Sequence, residues 1–171
     1  IGSGNGENAI YLSKLYPNSR IITCEIFEDG NINLINQINK LHINNIRLFK
    51  GNALQLLDEL KTDIIFNQVW ILFPDPWPKT RHHKRRLINH PFLNYIHKFL
   101  KDSGRIMIAT DSSSYIQLIL NSIYELKHKY EWENQNYQTW NYEFLDLVET
   151  KFYKKALNSN RKSTFFSLKK I

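Results

Sequence analysis

Three prolines within five residues, Pro74, Pro76 and Pro78, constrain this chain more than any other feature. Proline fixes φ and donates no backbone hydrogen bond, so neither a helix interior nor a central strand runs through such a segment. The apolar run Val69-Trp-Ile-Leu-Phe73 leads straight into it. The pattern predicts a strand that stops at Phe73 and a stiff turn, Phe73-Pro-Asp-Pro-Trp-Pro-Lys79, bearing one carboxylate and one indole. After Thr80 come six basic or imidazole side chains: Arg81, His82, His83, Lys84, Arg85 and Arg86. An open α/β sheet presents reactive groups at its carboxyl edge in this way. A basic run beside such a group is the footprint of a polyanion. Together they predict an enzyme that does chemistry on nucleic acid.

The rest of the chain alternates between strand and helix patterns. Gly2-Ser-Gly-Asn-Gly6 reads as a turn, and Glu7 to Leu15 as a helix closed by Pro17-Asn18. Arg20 to Glu25 is a short β-rich run. Asn31 to Leu41 places apolar residues at helical spacing. Ile46 to Phe49 reads as a strand ending at Gly51-Asn52, and Ala53 to Leu60 as a helix. The next strand lies within 64–73, and residues 74–90 read as a long polar loop. Pro91 to Leu100 is expected as a helix with proline in its first turn, where the missing N–H costs nothing. Ser103-Gly104 reads as a turn, Arg105 to Ala109 as a strand, and Tyr115 to Lys129 as a helix. The pattern weakens over 132–144, and Ser163 to Leu168 fits a last strand. Alternation of this kind predicts an α/β fold with a largely parallel sheet and helices on both faces.

With 171 residues and 42% hydrophobic content, the chain suffices for one domain with a real core. A net charge of +7 favours an anionic partner. The single cysteine, Cys24, excludes an internal disulfide framework and fits a reducing, cytoplasmic setting. No apolar run approaches the ~20 residues needed to span a bilayer. Residue 1 is Ile, and the glycine loop begins at once where a strand is expected to precede it. The expectation is a single domain over 1–171 that is N-terminally truncated or forms the C-terminal part of a longer chain.

Candidate ligand residues cluster at predicted strand ends. Gly2, Gly4 and Gly6 form a GxGxG loop leading into a helix, a pattern that lets backbone approach a nucleotide-type ligand closely. Glu25 ends the next strand, ~20 residues on, where a carboxylate accepts ribose hydroxyls. Asn52 after the third strand is open to two readings, an adenine contact or a turn-forming residue. Asp75, bracketed by prolines, is the sharpest candidate for chemistry, and Trp77 offers a face on which a base could stack. Residues 81–86 are expected to meet phosphates. The two histidines lack further ligands at metal spacing, so no metal is expected. Asp111, at the end of the fifth strand, either caps the next helix or faces the substrate.

These residues resemble the bacterial tRNA (guanine-N7-)-methyltransferase family. The matching elements are Ile1-Gly-Ser-Gly-Asn-Gly6, Glu25 with Gly30, Asn45-Ile-Arg47, Phe73 to Lys79, Arg81 to Leu87, Ala109-Thr-Asp111 and Thr150-Lys-Phe152. The resemblance implies a Rossmann-like class I methyltransferase fold whose first strand is largely missing here. It implies S-adenosylmethionine at Gly2, Gly4, Gly6, Glu25 and Asn52, with Asp75 beside it as the catalytic residue. It implies tRNA contact through Arg81, His82, His83, Lys84, Arg85 and Arg86. Substrate contact is implied for Lys79, Asp111, Thr150, Lys151, Phe152 and Tyr153. The implied product is 7-methylguanosine at position 46 of the tRNA variable loop. Family members usually carry Asp where Asn52 stands and Glu where Tyr153 stands. Two rival expectations remain: a methyltransferase acting on an amide or exocyclic amine, and a non-catalytic RNA-binding module with a decayed cofactor site. Monomer and homodimer are both compatible with the sequence.

Overall fold

The computed structural model describes residues 1–60, 66–145 and 147–171. Contacts divide the chain into two compact units. One comprises Ile1–Leu60 with Val148–Lys154, and the other holds the remaining described residues.

The first unit contains α1 (Glu7–Leu15), β1 (Ile21–Glu25), α2 (Glu28–Lys40), β2 (Ile46–Lys50) and α3 (Ala53–Glu59). β1 and β2 pair in parallel, from Ile21 opposite Ile46 to Glu25 opposite Lys50. All three helices pack on β1, and α2 also packs on β2. Ala9, Ile10, Leu34 and Ile46 form the buried centre of this unit, with Ile21, Ile38, Ile43 and Leu48 around them. α2 starts ahead of the expected Asn31 because Glu28 and Asp29 extend it into a first turn that favours negative charge, while Lys40 suits its last turn. α3 is fixed at its start by a reciprocal capping box. The Asn52 side chain accepts from the Gln55 N–H and the Gln55 side chain accepts from the Asn52 N–H, both at 3.0 Å.

The second unit begins with β3 (Phe66–Leu72); positions 64 and 65 of the expected strand lie outside the described residues. A 3₁₀ helix at Thr80–Arg85 follows, then α4 (His90–Ile96), a 3₁₀ turn at His97–Phe99, β4 (Leu100–Thr110) and α5 (Ser113–Glu125). β5 (Tyr130–Trp132), α6 (Tyr137–Trp140), a 3₁₀ turn at Tyr142–Phe144 and β6 (Thr164–Lys170) complete this unit, while α7 (Lys151–Asn158), before β6 in the chain, starts in the first unit and ends in the second. The sheet runs β3-β4-β6-β5. β3 and β4 are parallel, and β6 is reversed against both of its neighbours.

Several expectations are corrected here. The 74–90 segment is not all loop, since the basic run winds into the 3₁₀ helix. The helix expected to reach Leu100 ends at Ile96, and Leu100 already belongs to β4. Ser103-Gly104 is not a turn between elements but an irregularity within β4, where the register against β3 shifts between Phe66 and Gln68. Ser103 has a φ of 62°, and a Cβ on Gly104 would stand 2.7 Å from the Lys101 carbonyl oxygen. Extra residues in one strand are accommodated by such a bulge. The α/β expectation itself holds. Among the described residues no helix is long and apolar enough to cross a membrane, and no group of three or more metal-ligating side chains gathers.

Candidate active site

The glycine loop in the first unit is built by left-handed backbone. Gly2, Gly4 and Gly6 have φ of 66°, 53° and 90°, a region that residues with a Cβ seldom enter. The loop is tied to the end of β1 through the Cys24 carbonyl, which accepts from Gly2 N at 2.8 Å and from Ser3 N at 3.3 Å. Glu25 completes the tie. One carboxylate oxygen accepts from Gly4 N at 2.9 Å, and the other accepts from Ile26 N and Phe27 N at 2.8 and 2.9 Å. α2 approaches so closely that a Cβ on Gly30 would lie 2.5 Å from the Gly4 carbonyl oxygen.

This loop fits a ligand of nucleotide type. The direction a Cβ on Gly2 would take meets nothing within 4 Å, and the Ser3 hydroxyl is buried without a partner among the described residues. A buried, unpaired polar atom beside open space on a glycine loop suits a polar ligand group. Asn52 is placed as the cap of α3, with its amide oxygen already engaged by Gln55. The Thr150–Tyr153 segment lies within the same unit. Thr150 Oγ1 accepts from Tyr153 N at 3.1 Å, which starts α7. A Cβ on Gly4 would stand 3.8 Å from the Phe152 ring. Lys151 and Phe152 are exposed, whereas Tyr153 is buried.

In the second unit the Pro-Asp-Pro-Trp turn leaves β3 through strained backbone. Phe73 has a φ of 53° and Trp77 a φ of 42°, one on each side of Asp75. Such conformations persist where the surroundings over-determine them, and they concentrate at functional sites. Phe73 N donates to the Ala109 carbonyl at 2.7 Å, and its ring meets Tyr142 edge-on. Asp75 is exposed. Trp77 is half-buried, with one face covered. The Arg85 guanidinium lies over it, 4.9 Å from the ring centre, and His82 meets it edge-on at 5.9 Å.

The basic run is divided by the 3₁₀ helix. Lys79, Arg81, Lys84 and Arg85 are exposed, and His82 and His83 are half-buried. Arg86 departs from the others, being 3% exposed. Its Nε donates to the Pro76 carbonyl at 2.8 Å, Nη1 to the Ser114 carbonyl at 3.0 Å and Nη2 to Ser114 Oγ at 2.8 Å. Its guanidinium also lies 5.1 Å from the centre of the Tyr115 ring. Burial pulls the Arg86 pKa below its ordinary value. Burial pushes the Tyr115 hydroxyl up to about 12, and the Asp75 charge adds to that rise. Tyr115 accepts from Ile88 N at 2.7 Å. Asp111 does not cap α5. Ser112 stands at the N-cap of α5, and Asp111 pairs with Arg161 Nε at 2.6 Å. Ser114, Tyr115 and Arg161 were not marked by any local motif.

A family model described as a putative methyltransferase matches residues 1–166. The tRNA (guanine-N(7)-)-methyltransferase of Wolbachia pipientis wMel is 35% identical over 171 residues, all of this chain and 73% of that protein. The chain belongs to the tRNA (guanine-N7-)-methyltransferase family. The enzyme of the same name from Zymomonas mobilis is 32% identical over the same length, again covering 73% of the relative. Solved structures share the fold at low identity. A putative methyltransferase from Streptococcus mutans, in complex with SAH, matches with a TM-score of 0.63 at 14% identity, covering 98% of this chain and 84% of that one. The precorrin-6y C5,15-methyltransferase of Geobacter metallireducens gives 0.67 at 16%, covering 98% and 75%. The fold is that of a class I methyltransferase.

Proposed function

We propose that this protein transfers the methyl group of S-adenosylmethionine to N7 of a guanosine in tRNA, at position 46 of the variable loop. The observation that carries the reading is the acid-bearing turn Phe73–Lys79 with its exposed basic 3₁₀ helix, in a chain that belongs to this family. The cofactor supplies a methyl group activated on a sulfonium. The guanine N7 lone pair forms the new N–C bond while the C–S bond breaks, its electron pair returning to sulfur. No proton is removed from N7, and the base becomes cationic.

The protein's part is therefore position and electrostatics. Gly2, Gly4 and Gly6 admit the cofactor against backbone, and Glu25 holds the loop and meets the ribose hydroxyls. Asp75 faces the guanine and offsets the charge that develops on it. Lys79, Arg81 and Lys84 meet the tRNA backbone, and Asp111 and the Thr150–Phe152 segment each offer polar groups to the substrate. A tRNA substrate places the protein in the cytoplasm.

The test is incubation with methyl-labelled S-adenosylmethionine and unmodified tRNA, with the product mapped by cleavage at 7-methylguanosine. Label at N7 of one variable-loop guanosine is expected. Label on an exocyclic amine would reject the assignment. Tight tRNA binding with no cofactor binding in a calorimetric titration would mark a non-catalytic RNA-binding module instead.

A further inference from the structure

Arg86 stands in a basic run that reads, residue by residue, as a phosphate-binding surface, yet its guanidinium points into the protein. All three of its nitrogens donate to protein acceptors, and the side chain is almost completely buried. We propose that Arg86 is a positioning residue for Asp75, clamping the Pro-Asp-Pro-Trp turn to the first turn of α5. The proposal rests on the methyltransferase reading above.

The turn needs such a clamp. Pro74, Pro76 and Pro78 have no N–H, so the segment lacks the ordinary backbone means of holding itself. Asp75 is flanked by two left-handed residues, Phe73 and Trp77, whose strain must be offset by outside contacts. Arg86 provides one on the residue that follows Asp75, through its Nε bond to the Pro76 carbonyl. The other end of the fork grips Ser114 by both its carbonyl and its hydroxyl. The guanidinium lies over the Tyr115 ring, whose hydroxyl is itself held by its bond with Ile88 N. Arg85 adds a second hold on the far side, over Trp77. The geometry requires a planar fork with three separate donors. An ammonium at the end of a lysine side chain cannot reach the Pro76 and Ser114 acceptors in the same way.

The division of labour is therefore sharp. Arg81 and Lys84 point outward and serve the RNA, whereas Arg86 serves the carboxylate. Small displacements of a catalytic group cost as much as ~10²-fold in rate, so loss of the clamp is expected in the chemical step rather than in tRNA binding.

The experiment compares Arg86→Lys, Asp75→Asn and the double variant in single-turnover methylation at saturating tRNA and cofactor. Arg86→Lys is expected to slow the step about tenfold or more, with tRNA affinity and its salt slope within about twofold of wild type. In the Asp75→Asn background the same change is expected to cost less than about twofold, because Arg86 acts through Asp75. A purely structural role would slow both backgrounds equally, and that result would overturn the proposal. So would a weakened tRNA affinity with a reduced salt slope at full saturating rate, which would return Arg86 to phosphate binding. Ser114→Ala removes one of the acceptors and is expected to act in the same direction more weakly, which keeps the question open to test should Arg86→Lys not fold. Hydrogen exchange reports independently of activity. Faster exchange of the Phe73 amide, bonded to the Ala109 carbonyl, and of the Ile88 amide, bonded to Tyr115, is expected in Arg86→Lys, with the rest of the chain unchanged. Unchanged exchange there would reject the clamp even if wild type methylated no tRNA, an outcome that would separately reject the functional reading.

Discussion

At the scale of single residues, two carboxylates do different work. Glu25 accepts from three backbone donors, Gly4, Ile26 and Phe27, so it shapes the glycine loop; the proposed function also has it meet the ribose hydroxyls. Glu25→Ala strands those donors and the ligand hydroxyls together. Cofactor binding is expected to weaken by ~1–3 kcal/mol with tRNA affinity nearly unchanged, as read by calorimetry. Unaltered cofactor affinity would remove Glu25 from the site. Asp75 sits exposed on a strained turn, and in the proposed mechanism its charge matters mainly as the base becomes cationic. Asp75→Asn keeps the size and removes the charge, so single-turnover methylation is expected to fall by ~10²-fold or more while both ligands still bind. A fully active Asp75→Asn enzyme would leave the family intact and dismiss this role for the carboxylate.

At the scale of elements, the 3₁₀ helix decides which basic side chains face outward. Arg81 and Lys84 are exposed, Arg85 lies on Trp77 and Arg86 is buried. The double variant Arg81→Ala, Lys84→Ala is expected to lower tRNA affinity and to reduce the slope of log affinity against log salt by about one for each lost phosphate contact. Cofactor affinity should stay where it is. A salt slope equal to wild type would show the exposed face to be merely solvated. α3 carries a related lesson. The Asn-x-x-Gln capping box at Asn52 and Gln55 is legible in the sequence, and the geometry makes it, whereas an adenine contact by Asn52 has no support in its hydrogen bonds.

At the scale of the whole molecule, half-buried titratable groups outside the site set the response to acid. His97 lies against Tyr130, and its pKa is lowered from the ordinary 6.5, first by burial and then by Lys170 and Lys129. Above about pH 6.5 both folded and unfolded states are neutral there. Below it the unfolded chain takes the proton first, so stability falls until the lower folded pKa is passed. Glu133 is lowered from 4.5, chiefly by its hydrogen bonds to Arg105. Its stabilising contribution is present above about pH 4.5 and is lost as pH falls through the folded value. Melting temperature is therefore expected to decline in two stages. His97→Gln should flatten the stage that begins near pH 6.5, and Glu133→Gln the stage below 4.5. A melting profile in which His97→Gln leaves the first stage intact would place that loss elsewhere. The sequence by itself determined what is local: the proline-bracketed carboxylate, the glycine loop, the acid ending β1, and the alternation that specifies α/β structure. Each depends on backbone preferences or side-chain period within a few residues. Tertiary structure alone decided what depends on distant partners. Arg86 turns inward because Ser114 and Tyr115 offer acceptors and a ring face, Asp111 is paired because Arg161 returns to it from 50 residues away, and β6 lies antiparallel between β4 and β5 through pairings distant in the chain. A charged side chain's local sequence says that it can form a bond, but only the packed neighbours say with what.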